Sequence, residues 1–202
     1  MDDIVRSAMA KWPNVPHCFG WLMLDARGNW RMRDERAQQL NLAGDKINHP
    51  ALQGFINRNY THDAEGRWYF QNGPQRVYVD LEIAPYIVRT DPAAGLLLHT
   101  GIALPTPTQA GLTPEGRLLL MTEEIVAVLD DRDVAGMLSN LTQDGQAASD
   151  EQVLAWLEEA EESWRAALSL RCAGQTLRLQ RLDEKNLAGQ FGFVTHPRAA
   201  AS

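Results

Sequence analysis

Six residues on two neighbouring stretches carry the side chains best suited to chemistry: Arg67 and Tyr69, then Arg76, Tyr78, Asp80 and Glu82. In extended backbone successive side chains alternate between faces. Arg76, Tyr78, Asp80 and Glu82 therefore share one face, and Val77, Val79, Leu81 and Ile83 the other. Asp80 and Glu82 would stand ~7 Å apart on strand geometry, a spacing that suits an acid–base pair or oxygen ligands for a hard cation. The arginines and tyrosines are natural cross-strand neighbours and suit an anion instead. Arg58 and Tyr60, slightly upstream, extend the candidate set. The competing reading is a half-buried sheet whose polar face meets water, with its charges paired across strands.

The remaining reactive residues do not assemble by spacing. Cys18 and Cys172 are far apart in sequence, His17 adjoins Cys18, and His49, His62, His99 and His196 follow no ligand pattern. No metal site is expected from these intervals, and no cofactor. Phosphate loops, dinucleotide fingerprints and nucleophile elbows are absent from the sequence. Cys18 is followed by Phe19, Gly20 and Trp21, which argues for burial and an inert thiol.

These residues need a scaffold, and the chain reads as α+β. Asp2 to Lys11 has helical spacing, with Ile4, Val5, Ala8 and Met9 on one side. Cys18–Leu24 reads as a buried strand that returns at Trp30–Met32 through the turn Asp25–Asn29. Arg33 to Asp45 reads as a loop with at most a helical turn. Asn48 is the expected cap of a helix opening at Pro50 and carrying Leu52, Phe55 and Ile56 on its apolar face. A hairpin then spans residues 66–89, with Trp68 and Tyr69 on opposite faces, so that one of them should be exposed or at an interface.

Asp91–Gly95 is the expected boundary between two small lobes, 1–92 and 93–202. In the second lobe, Leu96–Thr100 reads as a strand and Pro105–Pro114 as an irregular connection. Leu118–Met121 and Ile125–Leu129 form either a hairpin or one continuous helix, and β-branched Ile125, Val126 and Val128 favour strands. A short helix over 131–141, a loop over 143–149 and a long amphipathic helix over 150–168 follow. Another hairpin spans 170–182, and residues 198–202 read as a frayed tail. The sheets should be mostly antiparallel, with few helices.

Composition sets outer limits. The 202 residues are 45% hydrophobic and 22% charged, enough to build a core without disulfides or structural metal. The net charge of −7 opposes a nucleic-acid partner, because phosphate binding requires a basic surface. Arg27, Arg31, Arg33 and Arg36 interleave with Asp25, Asp34 and Glu35, and read as a solvated, self-neutralising surface. No segment has the apolar length of a membrane span or the character of a leader. Two reduced thiols fit a cytoplasmic protein.

Several segments also carry a resemblance. Lys11–Pro16, Gly20–Asp25, Asn57–Tyr60 and Phe70–Val77 resemble a proteobacterial family of uncharacterised cytoplasmic proteins. The middle of the chain is similar in layout to a second bacterial family of unknown function. There a Gly-x-Trp strand leads to a short helix and a hairpin ending in an acidic-Ala-Pro-aromatic element. Asn29-Trp30 and Glu82-Ile83-Ala84-Pro85-Tyr86 stand at the corresponding places, with one extra residue after the acid. The resemblance covers roughly the first ninety residues and implies a two-lobed α+β protein. It transfers no catalytic residue.

The expectation is a non-enzymatic binding or accessory protein whose partner is another protein, a second copy of the chain in a homodimer, or a small molecule. The alternative is a small-molecule enzyme or ligand sensor with a polar pocket near the 66–89 hairpin.

Overall fold

The computed structural model describes residues 1–158 and 167–199. The chain divides into two compact units. The first comprises Met1–Pro85, His99–Gly101 and the chain from Ala188 onward, and the second comprises Tyr86–Leu98 and Ile102–Leu187.

The first unit opens with helix α1 (Asp3–Lys11), which buries Val5 and leaves Ile4 exposed. Strand β1 (Cys18–Leu24) returns through a tight turn to β2 (Trp30–Met32). A one-turn helix α2 (Glu35–Gln39) stands inside the stretch expected as loop, because Asp34 accepts the Ala37 N–H and caps it. Then come β3 (Asp45–Lys46), α3 (Pro50–Arg58), β4 (Tyr60–His62), β5 (Trp68–Asn72) and β6 (Gln75–Leu81). The α3 cap is His49, whose Nδ1 accepts from Leu52 N–H, and not the expected Asn48. Pro50 holds the first helical position, as its missing N–H allows.

These strands form one mixed sheet in the order β3-β2-β1-β6-β5-β4, with β1 and β6 parallel and the other pairs antiparallel. Strand β6 is therefore central. Its apolar face buries Val79 and Leu81 completely on the side of Phe70 and Ile56. Its other face is buried as well: Tyr78 and Asp80 are each 1% exposed. The sequence reading that placed this face in water is corrected here. A strand with partners on both edges is shielded laterally, and distant segments cover the face from above. Trp68 and Tyr69, on opposite faces of β5, are both buried for the same reason.

The second unit holds β7 (Tyr86–Asp91), β8 (Gly95–Leu98), β9 (Gln109–Leu112), β10 (Leu118–Met121) and β11 (Val126–Leu129). It continues through α4 (Asp131–Leu138), β12 (Leu141–Gln143), β13 (Gln146–Ala147), α5 (Asp150–Glu158), β14 (Leu168–Cys172) and β15 (Gln175–Arg181). Among the described residues its sheet runs β13-β12-β14-β15-β9-β10-β11-β7-β8, antiparallel apart from β7–β11 and β9–β15. Asp91–Gly95, expected at the seam between lobes, forms the turn from β7 to β8. The choice between hairpin and helix over 118–129 resolves to the β10–β11 hairpin.

Two segments expected as irregular are strands. The Pro/Thr-rich connection contains β9, and the loop after residue 143 is half of the β12–β13 hairpin. Strand β9 is held by close approach: a Cβ on Gly111 would fall 2.2 Å from Leu182 Cδ1. The helix expected over 150–168 is present as α5 to Glu158. Residues 159–166 lie outside the described residues, and Leu168 already belongs to β14. Leu118, Leu120, Leu168, Leu170 and Trp156 lie in this unit's core. A short helix, α6 (Leu187–Phe191), precedes the C-terminal segment.

Candidate functional site

The site forms over Asp80, on the covered polar face of β6. Asp80 Oδ2 accepts Arg33 Nη1 at 2.5 Å, and Oδ1 accepts Arg198 Nη1 at 2.8 Å. His196 Nδ1 stands 3.8 Å from the same Oδ1. The Arg33 side chain is 4% exposed and that of Arg198 is 60% exposed, so one guanidinium is interior and the other faces solvent. The expected solvated arginine surface over residues 27–36 is thus corrected at Arg33. A buried carboxylate requires a close cation, and Arg33 supplies one.

Local sequence explains how Arg33 reaches this position. Its N–H donates to Trp21 O, which fixes the backbone beside β1. Its Nη2 donates to Ala37 O and Asn41 Oδ1, and Gln38 Nε2 donates back to Arg33 O. Asn41 ends α2 in the left-handed region, φ 49°, a conformation Asn tolerates better than most residues. That turn brings its amide to the guanidinium. Arg33 Nε, also buried, has no hydrogen-bond partner among the described residues.

The C-terminal segment, read from sequence as a frayed tail, carries Arg198 into the site. Val194 N–H donates to Gly66 O, Thr195 O accepts from Leu81 N–H at 2.7 Å, and Val194 bridges in parallel with Arg67. Pro197 is buried just before Arg198. Residues 200–202 lie outside the described residues.

A cleft of about 210 Å³ opens here, lined by Phe19, Gly20, Arg33, Gln38, Asn41, Asp80 and Arg198. An irregularity in β1 creates its wall. Cys18 pairs with Val77 and Leu22 with Val79, so β1 spends two more residues than β6 between those points. Gly20 lies in the bulge at φ 79°, and a Cβ there would fall 2.6 Å from Gln38 Oε1. Phe19 stacks flat on Tyr78, ring centroids 4.6 Å apart. One carboxylate and two guanidiniums leave this cleft with one excess positive charge.

Beside it lies a second polar cluster. Asp63 Oδ1 accepts the N–H groups of Glu65 and Arg67, and Oδ2 accepts Arg67 Nε at 2.8 Å and Tyr78 OH at 2.9 Å. Burial pushes the Asp63 carboxyl up, but these hydrogen bonds outweigh it and hold the group below the usual carboxylate range. Arg67 lies 5.1 Å from the Tyr78 ring centroid and Arg76 4.6 Å from that of Tyr69. The cluster is largely self-satisfied, which suits it to holding the hairpin in shape.

The structure thus gathers Arg67, Tyr69, Arg76 and Tyr78 around Asp63 and places Asp80 nearby in the cleft. It separates the other candidates. Glu82 is exposed and accepts Ala26 N–H, while both Asp80 oxygens belong to arginines, so the two carboxylates do not work as a pair. Arg58 is exposed and pairs with Asp2. Tyr60 is buried among Trp30 and Trp68 and donates to Pro85 O. Sequence reasoning missed Arg33, Gln38, Asn41 and Arg198. No spacing rule connects them to Asp80, and only the covered face does so.

Among the described residues, no group of three His, Cys, Asp or Glu side chains gathers to hold a metal ion. Both cysteines are free, and burial pushes both thiols up. No helix among the described residues is long and apolar enough to cross a membrane.

The family model DUF2944, described as "Protein of unknown function (DUF2946)", matches residues 1–198. The chain belongs to this family. The DUF2944 match extends well past the first ninety residues that carried the resemblance in sequence and takes in Arg198 itself. Two solved structures are similar to this DUF2944 chain. A DUF1285 family protein from Silicibacter pomeroyi DSS-3 is 15% identical, with a TM-score of 0.47, over 92% of this chain and 99% of that one. A DUF1285 family protein from Shewanella baltica OS155 is 17% identical, with a TM-score of 0.39, over 57% and 88% respectively. No curated protein matches the chain.

Proposed function

We propose that this DUF2944 protein is a small-molecule-binding protein without catalytic chemistry at the site, and that its ligand occupies the cleft over Asp80. The observation that carries this reading is the combination of a buried ion pair, Arg33–Asp80, with an open cleft on which Arg198 still presents unused donors. This pair lines a concave site with several convergent polar groups, the form that ligand sites take. Catalysis is disfavoured because both Asp80 oxygens are engaged by cations, which leaves no free base at the floor. The two tyrosines on which a protein-docking hairpin would rely, Tyr69 and Tyr78, are interior. The partner on this reading is therefore a metabolite rather than a protein or a second copy. Free cysteines support placing it in the cytoplasm.

The test is a thermal-shift screen of the full chain against a metabolite panel, followed by amide NMR of each hit. A ligand at about a hundred times its dissociation constant adds ~2.7 kcal/mol to native stability. Hits should move the resonances of Gly20, Gln38 and Asn41. A panel with no hit, or hits that leave all three unmoved, removes the reading.

A further inference from the structure

The cleft also indicates what class of molecule it would take. Arg198 uses only Nη1, which donates to Asp80 Oδ1 and to Pro197 O. Among the described residues its Nε and Nη2 are unengaged, and this side-on edge is the one that donates to two oxygens of a planar anion in parallel. Arg33 Nε, on a side chain more than nine-tenths buried that lines the same cleft, is a second donor without an acceptor among the described residues. Asp80 neutralises one of the two guanidiniums, so the floor has capacity for one further negative charge. Gln38 and Asn41 contribute amides to the wall, and Phe19 contributes an apolar surface.

We infer that the ligand is a small monocarboxylate held by the free Nε–Nη2 edge of Arg198. This assignment rests on the cleft being the binding site, as proposed above. Charge selects carboxylate over phosphate monoester. A phosphate carries about −1.5 to −2 at pH 7 and would leave negative charge uncompensated beside Asp80. Volume selects small acids, because the cleft holds about 210 Å³. An amine or guanidine ligand would have to displace an arginine already bonded to the carboxylate, and one of the two is interior.

The experiment titrates acetate, lactate and benzoate into the full chain at constant ionic strength. Inorganic phosphate, methylguanidinium and acetamide are run in parallel, and binding is read from the amide resonances of Gly20, Gln38 and Asn41. At least one monocarboxylate should saturate these shifts more tightly than the three comparison probes. Arg198→Gln should weaken it by about tenfold or more, since a charged two-hydrogen-bond contact is lost. Arg198→Lys, which keeps the charge and loses the fork, should fall between. Arg198 is largely exposed, so these variants fold, and a cooperative melt no more than ~8 °C below the parent's without ligand checks it.

Methylguanidinium or acetamide moving the same resonances as strongly overturns the anion assignment while leaving the cleft reading intact. Tighter binding of phosphate overturns the carboxylate. Equal carboxylate affinity in Arg198→Gln overturns the role of Arg198. If no monocarboxylate moves the cleft but a hit from the metabolite panel does, the inference fails and the proposed function stands.

Discussion

Arg33 and Arg198 contact the same carboxylate from opposite environments, and removing each should have very different consequences. Arg33→Gln deletes a cation that is 4% exposed and leaves a carboxylate that is 2% exposed. Breaking a buried pair on one side costs ~3–5 kcal/mol, and the low end, on the order of 3 kcal/mol, applies because Arg198 still pairs with Asp80. Arg198→Gln deletes a cation that is 60% exposed and should cost at most ~1 kcal/mol. In a unit of about one hundred residues each kcal/mol moves the melting temperature by ~4–8 °C. The first variant should therefore melt more than ~10 °C below the parent and the second no more than ~8 °C below it. Asp80→Asn should resemble Arg33→Gln, because it strands the interior guanidinium. The double replacement Asp80→Leu with Arg33→Met should recover much of the loss, since neither buried charge remains. Scanning calorimetry with intrinsic fluorescence measures all four. Equal destabilisation by Arg33→Gln and Arg198→Gln would refute the idea that burial, rather than the carboxylate itself, sets the strength of this contact.

Three further outcomes follow from the packing. Asp130 caps α4 and pairs with Arg132, whose hydrogen bond holds its carboxyl down at about 2. The folded value lies below the unfolded one, so the contribution is complete above pH ~4 and fades as pH falls toward ~2. Asp130→Ala should cost ~0.5–2 kcal/mol near neutrality and flatten the acid limb of a stability–pH curve. Gly66→Ala places a Cβ 2.1 Å from Gly192 O at φ 73°, and urea denaturation should show a loss above ~2 kcal/mol. Leu120→Ala, at a fully buried position in the second unit, should cost ~2–5 kcal/mol by the same assay and leave binding at the cleft unchanged.

Period-two patterning made β6 legible, and the β-branched run at 125–128 correctly favoured a hairpin over a helix. Pattern reports which residues share a face but not what covers that face. Tyr78 and Asp80 are interior because α2, the β1 bulge and the C-terminal segment lie over them, and these are set by long-range placement. The strand β9 escaped notice because Ala110 and Gly111 carry little apolar signal between flanking prolines and threonines, although sheet pairing depends on how closely they let Leu182 approach. Arg33 and Arg198 are 165 positions apart in sequence and share only Asp80. Each alone looks like an ordinary surface charge.

The docking of residues 194–198 onto Gly66, Leu81 and Asp80 has a consequence for how the protein is made. The first eighty-five residues emerge from the ribosome without the segment that completes their sheet face. About a hundred further residues must be added first, roughly 5–20 s of synthesis at typical rates. Through that interval Asp80 has Arg33 but not Arg198, and the Leu81 N–H lacks its native acceptor. The cleft thus stays incomplete until residues 194–198 have been made and docked, and ligand competence should follow that step rather than the folding of the first eighty-five residues.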